Sequence, residues 1–408
     1  MIGARGIVAL GLAGIMQTAA AQDLSWSEIE RGRYLAIASN CVSCHTDLDH
    51  DGTPWAGGRE METPFGVIVT PNITSDDATG IGRWTRDDFW RALHEGRRRD
   101  GSYMYPAFPY THFTRMPRQD VDAIYEYLRT IPPVEADHVP EEELLLPLQV
   151  RTAISAWNAL HFDQGVFVPD LDKSDEWNRG AYLVTGPGHC GACHTDRNIL
   201  GGEQEDEFLR GATLENWHAP NIRGGEHGGI AHWSHDDIVA YLGSGRNEHT
   251  APMTRMGEVV EFSTQHLTEG DLGAIATYLK SLEDTPRDAS DPPEEAVLQA
   301  GQATYFDNCA ACHHADGSGE AYMFARLAGS NKVQSDDPTT LIRIILEGAQ
   351  AIPTNDHPGP LAMPAFDWKL DDDQIADLIT YMRNAWGNKG PAVSASEVAD
   401  LRETLGED

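Results

Sequence analysis

The chain has 408 residues, of which 64 are Asp or Glu and 30 are Lys or Arg, so its net charge is −34. Such an acidic chain is not expected to bind nucleic acid, nor to dock on anionic lipid through a polybasic patch. The hydrophobic share of 40% is sufficient for globular cores, and the length suits about three domains. The acidity serves solubility or steers the chain toward a basic partner.

The first 21 residues have the pattern of an export signal. Arg5 supplies a positive charge, residues 6–16 are small or apolar and uncharged, and Ala19–Ala21 offers a cleavage site. The apolar run is shorter than the roughly 20 residues that a membrane-spanning helix needs. We therefore expect residues 1–21 to be a signal peptide and the mature chain to be periplasmic.

All six cysteines fall in three copies of one pattern, Cys-x-x-Cys-His. Two thiols one helical turn apart can form thioethers with a porphyrin, and the adjacent histidine can then bind the iron. The thiols predicted to attach haem are Cys41, Cys44, Cys190, Cys193, Cys309 and Cys312. The predicted proximal iron ligands are His45, His194 and His313. The pattern therefore predicts three covalently bound haem c groups.

Three other uses of cysteine fit the pattern less well. Disulfides are common in exported proteins, but they do not explain a histidine after every cysteine pair. A thioredoxin-like motif occurs once, beside a strand–helix–strand pattern that this sequence lacks. Zinc needs four ligands per site, so scattered histidines would have to complete each set.

Each motif lies between two helical segments of one design. The preceding segments contain Gly and Tyr, and they are 31–35, 179–183 and, in a looser form, Gly301 with Tyr305. The following segments are amphipathic helices with apolar residues at i, i+3 and i+4, and they are 122–128, 273–279 and 376–382. This arrangement predicts an all-α fold of three tandem class I cytochrome c-type domains.

Proline clusters divide the chain, because proline cannot continue a helix. Pro132-Pro133 ends the first domain, and Pro292-Pro293 precedes the third. The expected divisions are a signal peptide at 1–21, cytochrome c domains at 25–135, 173–288 and 289–390, a linker at 136–172 and an exposed tail at 391–408. The apolar run 144–150 in the linker either packs on a neighbouring domain or touches a membrane partner.

The second axial ligand decides what each haem does, because a thioether makes an electron carrier and an open position allows ligand binding or catalysis. Met363 precedes the final helix of the third domain, where a distal loop should cross the haem, and is the predicted ligand. Met256 is predicted for the second domain, with Met253 as the alternative. The first domain leaves its ligand open, and the candidates are His112, Met104, Met116 or a vacant position.

Further stretches spread over the chain carry a resemblance to one family. They are 57–66, 72–74, 100–110, 176–183, 188–195 and 258–267. The chain resembles the three-haem cytochrome c subunits of periplasm-facing alcohol, aldehyde and sugar-acid dehydrogenases of Proteobacteria, especially acetic acid bacteria. Many members of that family have methionine where this chain has Phe108, which cannot bind iron. If His112 replaces it, the first haem has a lower potential than the other two.

The resemblance implies an electron-transfer subunit that is not itself an enzyme. A separate catalytic subunit with pyrroloquinoline quinone, flavin or a molybdenum cofactor oxidises the substrate. The cytochrome subunit passes the electrons to ubiquinone or a respiratory oxidase and lies peripherally on the outer face of the cytoplasmic membrane. A small third subunit is a further expected partner.

Two other functions remain open at this stage. The chain could be a free-standing multihaem carrier or an oxidase-linked subunit. A haem peroxidase needs a vacant iron position, and only the first domain leaves room for one. The basic cluster at 97–99 is either solvated or pairs with haem propionates or with a partner subunit.

Overall fold

The computed structural model describes four stretches of the chain, which are residues 27–136, 143–144, 150–285 and 291–407. The expected signal peptide at 1–21 lies outside these residues, as does most of the apolar run 144–150. Within the described stretches, no helix is long and apolar enough to cross a membrane.

The described residues are mostly helical. The helices are α1 (27–38), α2 (Cys41–Cys44), α3 (Arg86–Glu95), α4 (Tyr110–Phe113), α5 (Arg118–Leu128), α6 (Ile154–His161), α7 (Asp175–Thr185), α8 (Gly191–His194), α9 (His235–Ser244), α10 (Thr254–Phe262), α11 (Glu269–Lys280), α12 (Glu295–Asn308), α13 (Ala310–His313), α14 (Thr339–Glu347), α15 (Asp372–Met382) and α16 (Ala395–Glu407). Short 3₁₀ turns occur at Arg151–Ala153, Glu205–Glu207 and Thr264–His266. The strands are β1 (Glu60–Thr63), β2 (Gly66–Val69), β3 (Glu143–Leu144), β4 (Gly211–Leu214), β5 (Trp217–Pro220), β6 (Ala349–Gln350) and β7 (Ala362–Met363).

One kind of helix pair recurs, in which the helix before a motif crosses the amphipathic helix that follows it. The pairs are α1 with α5, α7 with α11, and α12 with α15. At each crossing a glycine lies so close to the partner helix that a methyl group would overlap a backbone carbonyl oxygen. The contacts are Gly32 with Ala123, Gly180 with Ala274 and Gly301 with Asp377. The glycines and carbonyls occupy equivalent positions, so the three sequence repeats share one packing.

Reciprocal caps fix where α3 and α9 begin. The Thr85 hydroxyl accepts a bond from the Asp88 backbone N–H, and the Asp88 carboxylate accepts one from the Thr85 N–H. Ser234 and Asp237 form the same capping box at the start of α9. These bonds satisfy backbone donors that a helix start leaves unpaired.

Buried apolar side chains form two clusters. The first runs without interruption through the first two repeats, from Leu35 to Leu279. The second belongs to the third repeat, from Tyr305 to Val398. The first two repeats therefore share a core, and the third packs around its own.

The first two repeats also exchange hydrogen bonds. Tyr34 donates to Asp271 of the second repeat at 2.5 Å, and Tyr182 donates to Asp120 of the first repeat at 2.5 Å. Each aspartate also pairs with an arginine of its own repeat, and these arginines are Arg179 for Asp271 and Arg31 for Asp120. The equivalent tyrosines thus reach across in opposite directions, which relates the two repeats by an approximate twofold axis.

Short antiparallel strands are added to the helical framework. The described residues are therefore mostly helical, but they are not all-α as expected. β1, β2 and β3 form one sheet, while β4 with β5 and β6 with β7 form two-stranded ones. The turn between β4 and β5 is made by Glu215 and Asn216, with φ of 48° and 57°, as in a type I′ hairpin. Strands of two to four residues are too short to show a two-residue alternation in the sequence.

The structure corrects the expectation of an exposed tail at 391–408. Residues Ala395–Glu407 form α16, and Val398 is completely buried in the second cluster. Leu401 and Leu405 pack against the same cluster, because these residues recur at the three- and four-residue spacing of one helix face. Arg402 also binds Asp372 at the start of α15 at 2.8 Å.

The described part of the expected linker is ordered against the first repeat. Asn158 of α6 accepts a hydrogen bond of 2.6 Å from the buried Tyr110 hydroxyl. Phe162 packs edge-on against the same tyrosine ring at 5.1 Å. The outer face of this segment carries exposed apolar side chains, among them Leu160 and Val168.

Candidate haem sites

Each Cys-x-x-Cys-His motif forms the same single helical turn. In all three motifs the histidine N–H donates to the carbonyl of the first cysteine at 3.0 Å. These backbone bonds join His45 to Cys41, His194 to Cys190 and His313 to Cys309. The turn brings both thiols and the imidazole of a motif together, as covalent attachment and iron binding require.

The three motif histidines are oriented in the same way. Each ring donates from Nδ1 to a backbone carbonyl at 2.7–2.8 Å. The acceptors are Pro71 for His45, Pro220 for His194 and Ala325 for His313. Because a carbonyl only accepts hydrogen bonds, Nδ1 carries the proton and Nε2 keeps its lone pair for iron.

Burial keeps these imidazoles neutral, the state that binds metal. It lowers the pKa of all three histidines, and that of His194 to about 4. Hydrogen bonding to the carbonyls acts in the opposite direction and is the smaller effect. A neutral imidazole with a free Nε2 is the form found in metal ligands.

The first thiol of each motif packs against an apolar cluster, whereas Cys193 and Cys312 are exposed. Burial raises the pKa of Cys41 and Cys190 to about 12, and that of Cys309 to about 11. None of the six cysteines forms a disulfide. Within the described stretches, no three His, Cys, Asp or Glu side chains group as they would around a zinc ion. Two thiols and one free imidazole nitrogen beside an apolar core fit a haem at each motif.

The methionines expected as distal ligands in the second and third repeats lie beside the core clusters. Met256 lies in the first turn of α10 and packs half-buried against the first cluster. Met363 lies in β7, paired with Ala349 of β6, and packs half-buried against the second cluster. The alternative Met253 bridges through its backbone to Ala351, so it lies where the second and third repeats meet.

In the first repeat, the structure separates the candidate ligands by their surroundings. Both ring nitrogens of His112 have partners in the second repeat: Nδ1 lies 3.2 Å from the Thr185 carbonyl and Nε2 lies 2.9 Å from the Glu203 carboxylate. Met116 is completely buried in the first cluster. Met104 is half-buried against that cluster and has no competing side-chain bond to break.

The basic cluster at 97–99 and His189 both lie in contact with the first repeat. The basic cluster at 97–99 is used within the first repeat, because Arg97 bonds to the Tyr103 hydroxyl at 2.6 Å and stacks on its ring. His189, directly before the second motif, lies against Ser39 of the first repeat, with its Nε2 3.3 Å from the Ser39 carbonyl. Burial lowers the pKa of His189 to about 4.

Sequence reasoning missed the carbonyls that hold the motif histidines. Pro71 and Pro220 begin Pro-Asn-Ile segments that follow the first two motifs, and this repetition was the available signal. It also missed Arg59, whose side chain binds the first motif and the second repeat. Nothing local in the sequence pairs Arg59 with a carboxylate 199 residues away.

The chain is similar to several proteins of the cytochrome c family. Residues 29–132 and 298–386 match the cytochrome c family. The chain is 41% identical to the alcohol dehydrogenase (quinone) cytochrome c subunit of Gluconobacter oxydans, over 97% of this chain and 87% of that protein. It is 38% identical to the gluconate 2-dehydrogenase cytochrome c subunit of Pantoea cypripedii, over 98% and 95%. It is 36% identical to the fructose dehydrogenase cytochrome subunit of Gluconobacter japonicus, over 92% and 82%.

These relatives are named as cytochrome subunits of dehydrogenases. The similarity extends over nearly the whole chain, the range in which the three motifs lie. The chain belongs to the family of cytochrome c subunits of dehydrogenase complexes, and it is an electron-transfer subunit rather than a catalytic one.

Proposed function

We propose that the chain carries one haem c at each of its three motifs and passes electrons from a partner dehydrogenase to ubiquinone or another respiratory acceptor. Three cytochrome c domains, at 25–135, 173–288 and 289–390, hold the haems. The mature protein is exported and lies peripherally on the periplasmic face of the cytoplasmic membrane. The partner is a catalytic subunit of the quinoprotein, flavoprotein or molybdenum type, and a small third subunit completes the complex.

One observation carries the three-haem proposal. His45, His194 and His313 each directly follow a cysteine pair, and in each the bond from Nδ1 to a carbonyl leaves Nε2 free. The same histidine tautomer and the same backbone turn of the motif occur three times, which chance would not produce. Bound haem would supply reversible one-electron chemistry at each site.

The distal ligands proposed are Met256 for the second haem, Met363 for the third and Met104 for the first. His112 was the other main candidate for the first haem, and its bonds to Thr185 and Glu203 favour Met104. Binding iron through His112 would leave the Glu203 carboxylate, which is largely buried, without its closest partner. A thioether on each iron keeps the potentials high and the sites closed to other ligands.

The acidic character of the chain supports a role in docking. A net charge of −34 attracts a basic surface on a catalytic subunit and accelerates association at low ionic strength. No substrate-binding residues are needed, because the substrate is oxidised in the partner.

The proposed function is tested with the purified complex. Adding the substrate of the catalytic subunit should reduce the haems, and a soluble ubiquinone analogue should reoxidise them. Carbon monoxide should not bind to the reduced cytochrome if all three distal positions are filled. Haems that stay oxidised with substrate, while an artificial reductant reduces them, would contradict the proposal.

A matched pair of variants tests the first distal ligand. Met104→Ala should abolish the far-red methionine–iron absorption of the first haem and allow carbon monoxide to bind. His112→Gln should leave that absorption unchanged, because glutamine retains a hydrogen bond to Glu203. The reverse pattern would show that His112 binds the iron.

A further inference from the structure

Four charged side chains lie where the first motif meets α10 of the second repeat. This junction cluster consists of Arg59, Glu215, Arg255 and Glu258. Arg59 donates from Nη2 to Glu258 at 2.7 Å. Arg255 donates to Glu258 at 3.1 Å and to Glu215 at 2.8 Å, so the four side chains form one chain of alternating charge.

Arg59 also holds the haem-binding turn of the first repeat. Its Nη1 donates to the carbonyl of Ser43 at 2.8 Å, inside the motif that begins at Cys41. Arg59 is 6% exposed, whereas the Arg255 side chain is 44% exposed. A guanidinium so deeply buried interacts strongly with nearby charges, because water screens it little.

The junction cluster lies against the first attachment site, because Arg59 holds the carbonyl of Ser43, between Cys41 and Cys44. The helix that carries Glu258 also packs against α2 of the first motif.

We propose that Arg59 is a positioning residue that raises the reduction potential of the first haem, with Glu258 as its opposing charge. The proposal rests on the proposed attachment of haem at Cys41 and Cys44. A positive charge disfavours the ferric state, which carries one more positive charge than the ferrous state. Glu258 lies two residues after Met256, so the same ion pair extends to the distal helix of the second haem.

Such a pair sets the potential of the first haem through two opposed charges. Removing the Arg59 charge leaves Glu258 paired only with the exposed Arg255, so the first haem becomes easier to oxidise. Removing the Glu258 charge leaves the guanidinium unopposed and has the opposite effect. The third haem belongs to a separate core and should respond to neither change.

The experiment is a spectroelectrochemical titration of the full-length, haem-loaded protein at pH 8. Arg59→Gln should lower the midpoint potential of the first haem, lower that of the second less and leave the third unchanged. Glu258→Gln should raise the first potential, and the double variant should lie near the unaltered protein. Arg59→Lys should change the midpoint potential of the first haem little, because the positive charge remains. Arg255→Gln is the matched control, with a smaller shift expected from an exposed charge.

Opposite shifts distinguish electrostatics from damage to the fold, because structural disruption would move both single variants in the same direction. The proposal is overturned if Arg59→Gln and Glu258→Gln shift the first potential in one direction, or leave all three potentials unchanged. If Arg59→Gln does not fold, the sign of the Glu258→Gln shift decides. Haem content is measured on every variant, so a missing haem counts against the proposed function and an unshifted potential counts against this inference alone.

Discussion

Tyr182 donates a 2.5 Å hydrogen bond to the Asp120 carboxylate across the boundary between the first two repeats. Asp120 is 3% exposed and Tyr182 is 7% exposed, so water does not compete for this bond. Tyr34 and Asp271 form the counterpart bond in the opposite direction. Together with the shared core, the two bonds make one unit of the two repeats and hold their Cys-x-x-Cys-His motifs adjacent.

Removing the Tyr182 hydroxyl should destabilise this unit. Tyr182→Phe leaves the buried Asp120 carboxylate with only Arg31 as a charged partner, and the free energy of unfolding should fall by about 1.5–3 kcal/mol. Urea unfolding measures the loss. Tyr322→Phe is the control, since Tyr322 is 48% exposed, and equal effects of the two substitutions would contradict a buried cross-repeat bond.

The helix crossings should not tolerate a methyl group. Gly180→Ala places a methyl group against the Ala274 carbonyl, and we expect a loss of about 2–3 kcal/mol because the backbones must separate. Gly270 lies in the partner helix α11, and a methyl group added there would have no atom within 4 Å. Gly270→Ala should therefore stabilise the protein by about 0.5–1 kcal/mol. Thermal unfolding of both variants checks the difference in sign.

The two methionines of the second repeat should differ in effect. Met256→Ala should open the second iron, lower its potential and allow carbon monoxide to bind the reduced haem. Met253→Ala should leave the haem spectrum unchanged, because Met253 joins the second repeat to Ala351 through its backbone. If only Met253→Ala opens the iron, the ligand assignment is wrong.

Acid should loosen the third repeat from the second. Asp337 lies against Thr213 and has its carboxylate 3.5 Å from His218. Burial raises the pKa of Asp337, but hydrogen bonds from His218, Thr213 and Thr339 outweigh it and hold the pKa well below its usual value.

A depressed folded-state pKa means that the contact of Asp337 stabilises the structure at pH values above the unfolded pKa of about 3.9. This contribution is lost progressively as the pH falls below that value. Thermal unfolding between pH 2 and 5 should show the loss, and Asp337→Asn should remove this part of the pH dependence. A pH profile that is the same in the variant would contradict the role of Asp337.

Much of the architecture follows from local sequence patterns. The motifs fix the three turns, and the apolar spacing in 122–128 and 273–279 predicts the amphipathic helices that close the repeats. Gly32 and Gly180 precede the motifs at matching positions, and the structure explains them as close helix contacts. These features are short-range, so one sequence is enough to predict them.

The contacts between repeats could not be predicted in the same way. Tyr34 and Asp271 are 237 residues apart, and no periodicity links them. The bonds of His112 to Thr185 and Glu203 of the second repeat are also long-range, so the sequence could not weigh His112 against Met104. The buried face of α16 was predictable, because Val398, Leu401 and Leu405 follow helical spacing, but the surrounding charge concealed it.

The central claim is that each of the three motifs holds its own covalent haem, and intact-protein mass spectrometry under denaturing conditions tests it most directly. The mature chain should have the mass of its polypeptide plus three haems, and Cys309→Ala with Cys312→Ala should remove one of them. A fully matured protein that carries two haems or fewer would contradict the account.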